Sequence, residues 1–396
     1  MQNVLFLFTT IVVVAAWILG LKLKNFSVSL MVISSSFWSI AAFPENDSMI
    51  YGALVACGLI MMMILMSDLK RLRIDFLSLI FVTFILIILF SAISSETTLK
   101  GVIRFGLLLI FYLFINSFEP QQKFLLLLGI LWGFHIILLS QLFCLVLKIS
   151  ENTDISSGEV RFGGLLGHPN YAAYLAGLCL LLVLKFRKSL GDLSYLFAAI
   201  DLVVVSSTGA RSAFAGTVLG ILWLITFSVF SINNKERILT KSNLMISAIG
   251  LMIIFRFQGV ILDRFEQVFK SGGLRGSNSL GWRFLQWETA LRELEKNPVF
   301  GNGWHSAGDR LLQGLSAHNM YLQSWLEFGW IGLLICSLIF FTVIIRLARN
   351  GLTLLVPLLV ISSIMDAGIL FPSIAFCSIA VYGLKPIEDV RRQNVE

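Results

Sequence analysis

"LSAHNMYLQSWLEFGWIGLLICSLIFF", residues 315–341, poses the question on which the fold turns. Its second half, continued to Ile345, holds no charged residue from Phe328 onward. A run of that kind is long enough to cross a bilayer, for which about 17–25 residues suffice. Yet it opens with His318, Asn319 and Tyr321, polar groups at the mouth of an apolar helix. If residues 317–345 form one helix, His318, Tyr321, Leu322 and Trp325 share a face, with Asn319 beside them. Glu327 lies deeper and reads as a structural partner of another polar group. Histidine is the side chain best matched to proton transfer near neutral pH. The plain alternative is an ordinary interfacial residue.

The rest of the chain repeats the apolar theme. Of 396 residues, 57% are hydrophobic and 13% charged, whereas a soluble chain is about half apolar and about one quarter charged. Apolar runs recur at roughly 3–20, 26–43, 49–66, 74–93, 100–117, 123–147, 169–186, 193–207, 210–231, 243–257, 317–345, 351–366 and 369–384. In lipid each run must satisfy its own backbone, so each should be a helix. The runs lack the alternation of barrel strands. The expected fold is an all-α polytopic membrane protein of about twelve or thirteen transmembrane helices, a single integral membrane domain over residues 1–396. The first run starts almost at Met1 and is followed by Lys22 and Lys24, the wrong order for a cleavable signal, so it reads as a span with its start outside.

The net charge of +7 does not signal nucleic acid, because the basic residues sit in short clusters between spans. Lys70/Arg71/Arg73, Lys185/Arg187/Lys188, Lys235/Arg237/Lys241, Arg346/Arg349 and Lys385/Arg391/Arg392 all fall on one side, which should be the cytoplasm. The other side holds 44–48, 94–99, 149–168, 207–211 and the long stretch 258–316. That stretch is rich in aromatics, and 282–296 has helical spacing of apolar and charged residues, stopped by "NPVFGNG" at 297–303. It reads as one large structured periplasmic loop. The cysteines Cys57, Cys144, Cys179, Cys336 and Cys377 lie inside apolar runs without metal or disulfide spacing, as small buried residues would.

Three further polar groups join the opening stretch on the outer side. "RFGGLLGHPNYAAYLAG", 161–177, offers Arg161, His168 and Asn170 around a helix start, with Pro169 suited to its first turn. "SSTGARSAFAG", 206–216, places Arg211 at a helix start, where the helix dipole opposes a cation unless an anion is bound. "GWRFLQW", 281–287, sets Arg283 between Trp282 and Trp287 at headgroup height. Lipid-phosphate snorkelling and aromatic anchoring are the plain alternatives. His135, mid-run, reads as a helix-packing hydrogen bonder, and His305 as a secondary candidate. Together, arginines matched to phosphate oxygens, a histidine able to take a hydroxyl proton and aromatics able to stack on sugars imply glycosyl transfer from a lipid diphosphate. The loop has no paired-Asp cluster, so no metal or other cofactor is required.

These motifs, in order, resemble the O-antigen ligase and O-antigen polymerase superfamily of bacterial membrane glycosyltransferases. The resemblance covers 160–335: Arg161 to "GHPNYAAYLAG", "STGARSA" at 207–213, "WRFLQW" at 282–287, "NPVFGNGW" at 297–304 and "HNMYLQSWLEFGWIG" at 318–332. It implies an inner-membrane protein with its site on the periplasmic face and an undecaprenyl-diphosphate-linked glycan as donor. It also implies inverting, metal-independent transfer to an acceptor glycan, either lipid A–core (ligase) or a lipid-linked repeat (polymerase). Arg211, Arg283 and His318 match the family's catalytic positions. Arg161, His168, Asn170, Asn319, Tyr321, Trp282 and Trp287 are expected to bind substrate. A polysaccharide transporter or flippase is the rival reading; it calls for ionisable groups at the midplane, where only Asp201 and His135 qualify.

Overall fold

The computed structural model describes residues 74–91, 153–154, 161–162, 169–230, 279–303, 310–311 and 316–365, with isolated positions between 102 and 142. The expected spans 3–20, 26–43, 49–66, 243–257 and 369–384 lie outside the described residues, as do His168, Trp304 and His305. The described chain is helical: α1 Phe76–Ser91, α2 Pro169–Leu190, α3 Leu193–Ser207, α4 Arg211–Phe230, α5 Ser279–Leu294, α6 Met320–Arg349 and α7 Val356–Met365, the last preceded by a 3-10 turn at Thr353–Leu355. The described positions within 100–117 and 123–142 are helical too. One antiparallel pair of two-residue strands, β1 Thr153–Asp154 and β2 Arg161–Phe162, is the extended structure among the described residues.

The chain divides into two compact units, one of residues 138–337 and 352–370 and one of the remainder. In the latter, Asp75 caps α1 by accepting the Ser78 N–H at 3.0 Å, and its second oxygen accepts the Tyr112 hydroxyl at 2.5 Å. His135 is buried and bonds through Nδ1 to the Leu131 carbonyl at 2.7 Å, within its own helix.

The former unit is organised around α2. Every residue from Ala172 to Val183 is buried, the pattern of a helix enclosed by others. Small residues let its neighbours approach as membrane helices do. A Cβ placed on Gly177 would fall 2.2 Å from Thr217 Oγ1 of α4, and one on Gly220 would fall 2.7 Å from both Leu181 Cδ1 of α2 and the Leu354 carbonyl. A Cβ on Gly216 would meet the Leu358 Cα at 3.0 Å. These contacts fix directions. On α2 and α4 the paired numbers rise together (177 with 217, 181 with 220), so the two run parallel. From Gly216 to Gly220 the partner falls from Leu358 to Leu354, so α4 and α7 run antiparallel. The free cysteines Cys179 and Cys336 are buried small residues in this packing.

Among the described residues, two helices are long and apolar enough to cross a membrane, Pro169–Arg187 within α2 and all of α6. α6 also leaves Trp330, Ile331, Leu334, Leu338, Phe341 and Ile345 exposed along one stripe, a surface suited to lipid rather than water. Gly220→Ala is expected to destabilise the protein by about 1–3 kcal/mol, because the new methyl meets a backbone carbonyl that cannot rotate away. Thermal unfolding in detergent reads the effect, and an unchanged Tm would contradict this packing.

Candidate functional site

The unit of residues 138–337 and 352–370 gathers the predicted polar groups at one end. Arg211 opens α4 and is half-buried. Its neighbour Ser212 accepts a hydrogen bond from the Tyr174 hydroxyl at 2.8 Å, which brings the start of α2, with Pro169 and the buried Asn170, alongside. Carrying the antiparallel register of α4 and α7 back from Gly216 to Arg211 brings that residue level with Ser363. The same turn of α7 meets the start of α6: Asn319 Nδ2 donates to the Ile364 carbonyl at 3.1 Å, and Tyr321 hydrogen-bonds the Ser363 side chain. His318 stands next to Asn319, and its ring meets Trp282 of α5 edge-on, centroids 5.4 Å apart. Arg283, half-buried, follows Trp282. Thus Asn319 and Tyr321 meet the end of α7, Arg211 lies level with it along α4, and Trp282, beside Arg283, meets the His318 ring. Arg161 lies in β2, outside this cluster's described contacts.

His318 has φ +48, the one non-glycine residue with positive φ among those described. That conformation costs of order 1–3 kcal/mol and persists where surroundings impose it. Asn319 imposes one side: its Oδ1 accepts the N–H groups of Tyr321 at 3.0 Å and Leu322 at 3.1 Å, capping α6. Trp287 imposes the other, donating its indole N–H to the Ala317 carbonyl at 2.8 Å. Both side chains, expected to meet substrate, have a structural engagement with the histidine's neighbours. Below them Ala290 and Leu294 of α5 pack with Leu311, Ala317 and Leu326, seating α5 on the first turns of α6.

The expected single helix 317–345 is broken. Gly329, at φ 68 and ψ −163, interrupts α6. The break leaves carbonyls without their intrahelical donors, and the segment after α5 supplies replacements. Asn302 N–H donates to Leu326 O at 2.9 Å and Gly303 N–H to Glu327 O at 2.8 Å, while the Trp330 N–H turns to Pro298 O at 3.0 Å. Asn302 Nδ2 adds a bond to Leu326 O at 3.2 Å, and the Trp325 indole one to Pro298 O at 3.2 Å. The approach tolerates only glycine: a Cβ on Gly329 would sit 1.9 Å from Val299 O, and one on Gly301, at φ +69, would sit 2.5 Å from the Glu327 carbonyl. "NPVFGNG", read from sequence as a helix stop, is also a clamp on this break. The available signal was a glycine inside an apolar span, which Gly332 three residues on also offers.

At the far end of α5, Glu293 pairs with Lys296 at 2.6 Å and Arg310 at 3.4 Å. The Lys296 hydrogen bond, with a smaller contribution from Arg310, holds the carboxyl below its ordinary value against a modest opposing effect of burial.

Residues 196–337 match the family described as "O-Antigen ligase". A protein of Haemophilus influenzae (strain ATCC 51907 / DSM 11121 / KW20 / Rd), described as "Uncharacterized protein", is 28% identical over 204 residues, 46% of this chain and 50% of that one. The chain thus spans about half the length of this curated relative.

Gly329→Ala is expected to cost more than the roughly 1–3 kcal/mol of a side chain in this glycine-only backbone region alone, since it also expels the clamp. Faster proteolysis within 297–303 reads that loss, and wild-type protection would contradict it. For Glu293, whose folded value is lowered, the stabilisation is present above the unfolded value and fades as pH falls through the folded one. The Tm gap between wild type and Glu293→Gln is therefore expected at neutral pH and should close below about pH 4.

Proposed function

Proceeding from an O-antigen ligase domain at residues 196–337, where family match and motifs agree, we propose that this protein is a multi-pass inner-membrane glycosyltransferase. It moves a glycan from an undecaprenyl-diphosphate carrier to an acceptor hydroxyl on the periplasmic face. The reading is supported by three contacts at neighbours of the candidate residues: Tyr174 with Ser212, beside Arg211; Trp282, beside Arg283, with the His318 ring; and Asn319, beside His318, with the Ile364 carbonyl.

Arg211 and Arg283 grip the diphosphate, to whose oxygens guanidinium forks are matched. His318 takes the proton as the acceptor oxygen bonds to the anomeric carbon. On the opposite face the anomeric carbon–oxygen bond to the diphosphate breaks, and the lipid diphosphate departs with its charge held by the arginines, without a metal. Attack from that side inverts the anomeric centre. Trp282, against the imidazole, offers a ring to the sugar. Orientation is supported by the two long helices, which begin at the site end and finish in basic turns, Lys185 and Arg187 in one and Arg346 and Arg349 in the other. The positive-inside rule puts such turns in the cytoplasm.

His318→Ala is expected to insert normally, to lose about 10²–10⁴-fold in transfer rate and to let the lipid-linked donor accumulate. Full transfer by this variant, with purified protein, donor and acceptor in liposomes without a gradient, would remove the histidine from the mechanism. Gels of surface polysaccharide from a deletion strain separate the two forms of the reaction. A single retained repeat marks a polymerase, and a bare core marks a ligase.

A further inference from the structure

Beneath the histidine lies a buried polar pair. Gln323 and Glu327 are one turn apart on α6, 6% and 3% exposed. Gln323 Nε2 donates to Glu327 Oε1. Gln323 Oε1, its orientation thereby fixed, accepts the backbone N–H of Ala317 at 2.8 Å. Ala317 is itself fully buried, and its carbonyl is held by Trp287. Both peptide groups of the residue preceding His318 are therefore fixed by side chains. Glu327 is anchored in turn, because its backbone carbonyl is one of those bound by the loop at the Gly329 break.

We propose that Gln323 and Glu327 are positioning residues for His318. The pair converts the clamped break of α6 into a fixed left-handed backbone at the histidine, so that the imidazole is aimed before substrate arrives. This rests on the assignment of His318 as the base. A polar pair one to two turns inside a membrane helix is costly without a partner, and the partner here is the peptide that carries the catalytic side chain. Glu327 acts as a hydrogen-bond acceptor, a part that a glutamine carbonyl fills equally well. A displacement of about an ångström is enough to reduce catalysis by about 100-fold.

The test uses the full chain in liposomes with a polyprenyl-diphosphate-linked glycan as donor. Gln323→Met and Glu327→Leu are expected to lower kcat by about 10–100-fold with the donor KM unchanged, while Glu327→Gln restores the wild-type rate. Thermal unfolding checks each variant. Should Gln323→Met not fold, the Glu327 pair of variants decides. Unchanged kcat in Gln323→Met and Glu327→Leu overturns the proposal, as does a rise in KM at constant kcat. A Glu327→Gln as slow as Glu327→Leu also overturns it, since the carboxylate would then act through its charge or proton. If His318→Ala is inactive while Gln323→Met is fully active, the histidine's role stands and only the positioning role falls. If His318→Ala is fully active, the histidine's role fails first.

Discussion

A helix that breaks inside an apolar run must find new hydrogen-bond partners for the backbone groups it releases, since lipid supplies none. Much of the site end depends on how this protein meets that requirement. α6 breaks at Gly329, and the segment after α5 donates to the carbonyls of Leu326 and Glu327 and accepts from Trp330. Backbone thereby stitches the segment after α5 to a membrane-length helix. The stitch is specific because two glycines, Gly301 and Gly329, meet at distances no side chain allows.

The consequence reaches the opposite end of the same short helical stretch. Residues 320–328 are fixed below by the clamp and above by the Asn319 cap. α5, continuous with the clamp through Asn297, packs Ala290 and Leu294 against Leu326 and sends Trp287 to Ala317. α5 therefore holds α6 at two places, and Trp282 and Arg283 are carried on the same rigid piece. The left-handed φ of His318 is a cost that these contacts offset together. Backbone strain of this kind is kept where a side chain must point in a direction that relaxed geometry does not give.

Helix boundaries were legible where apolar runs met strong punctuation. The run 193–207 coincides with α3, and 210–231 with α4, because Gly191 and the Thr208–Gly209 turn bound them. The 282–296 helix was readable from its spacing and differs from α5 by a few residues at each end. The break in α6 was not readable, since a glycine in an apolar run equally marks close helix packing, as Gly220 does. Nor could spacing assign Asn319 and Trp287. Both looked like surface groups suited to a substrate, and only the fold brings Ile364 and Ala317 within their reach. Gln323, a single amide on a helix face, carries no pattern in the sequence; its meaning comes from a contact six residues back.

The electrostatics of the site end follow from topology. α2 and α4 run parallel, and α6 starts where α7 ends, so three helix starts share one place. Each carries roughly half a positive charge, that of α6 met in part by the Asn319 cap. Arg211 and Arg283 add full charges to the same region, and the cationic form of His318 would add another. Like charges so gathered repel, and among the described residues the C-termini of α3, which ends at Ser207 just before Arg211, and of the short α7 oppose them only in part. Folding alone gives no reason to collect them; a multivalent anion does. A bound diphosphate would neutralise the repulsion, as anions at helix N-termini do. In the proposed reaction, its departure with the lipid would restore the positive field for the next charged carrier.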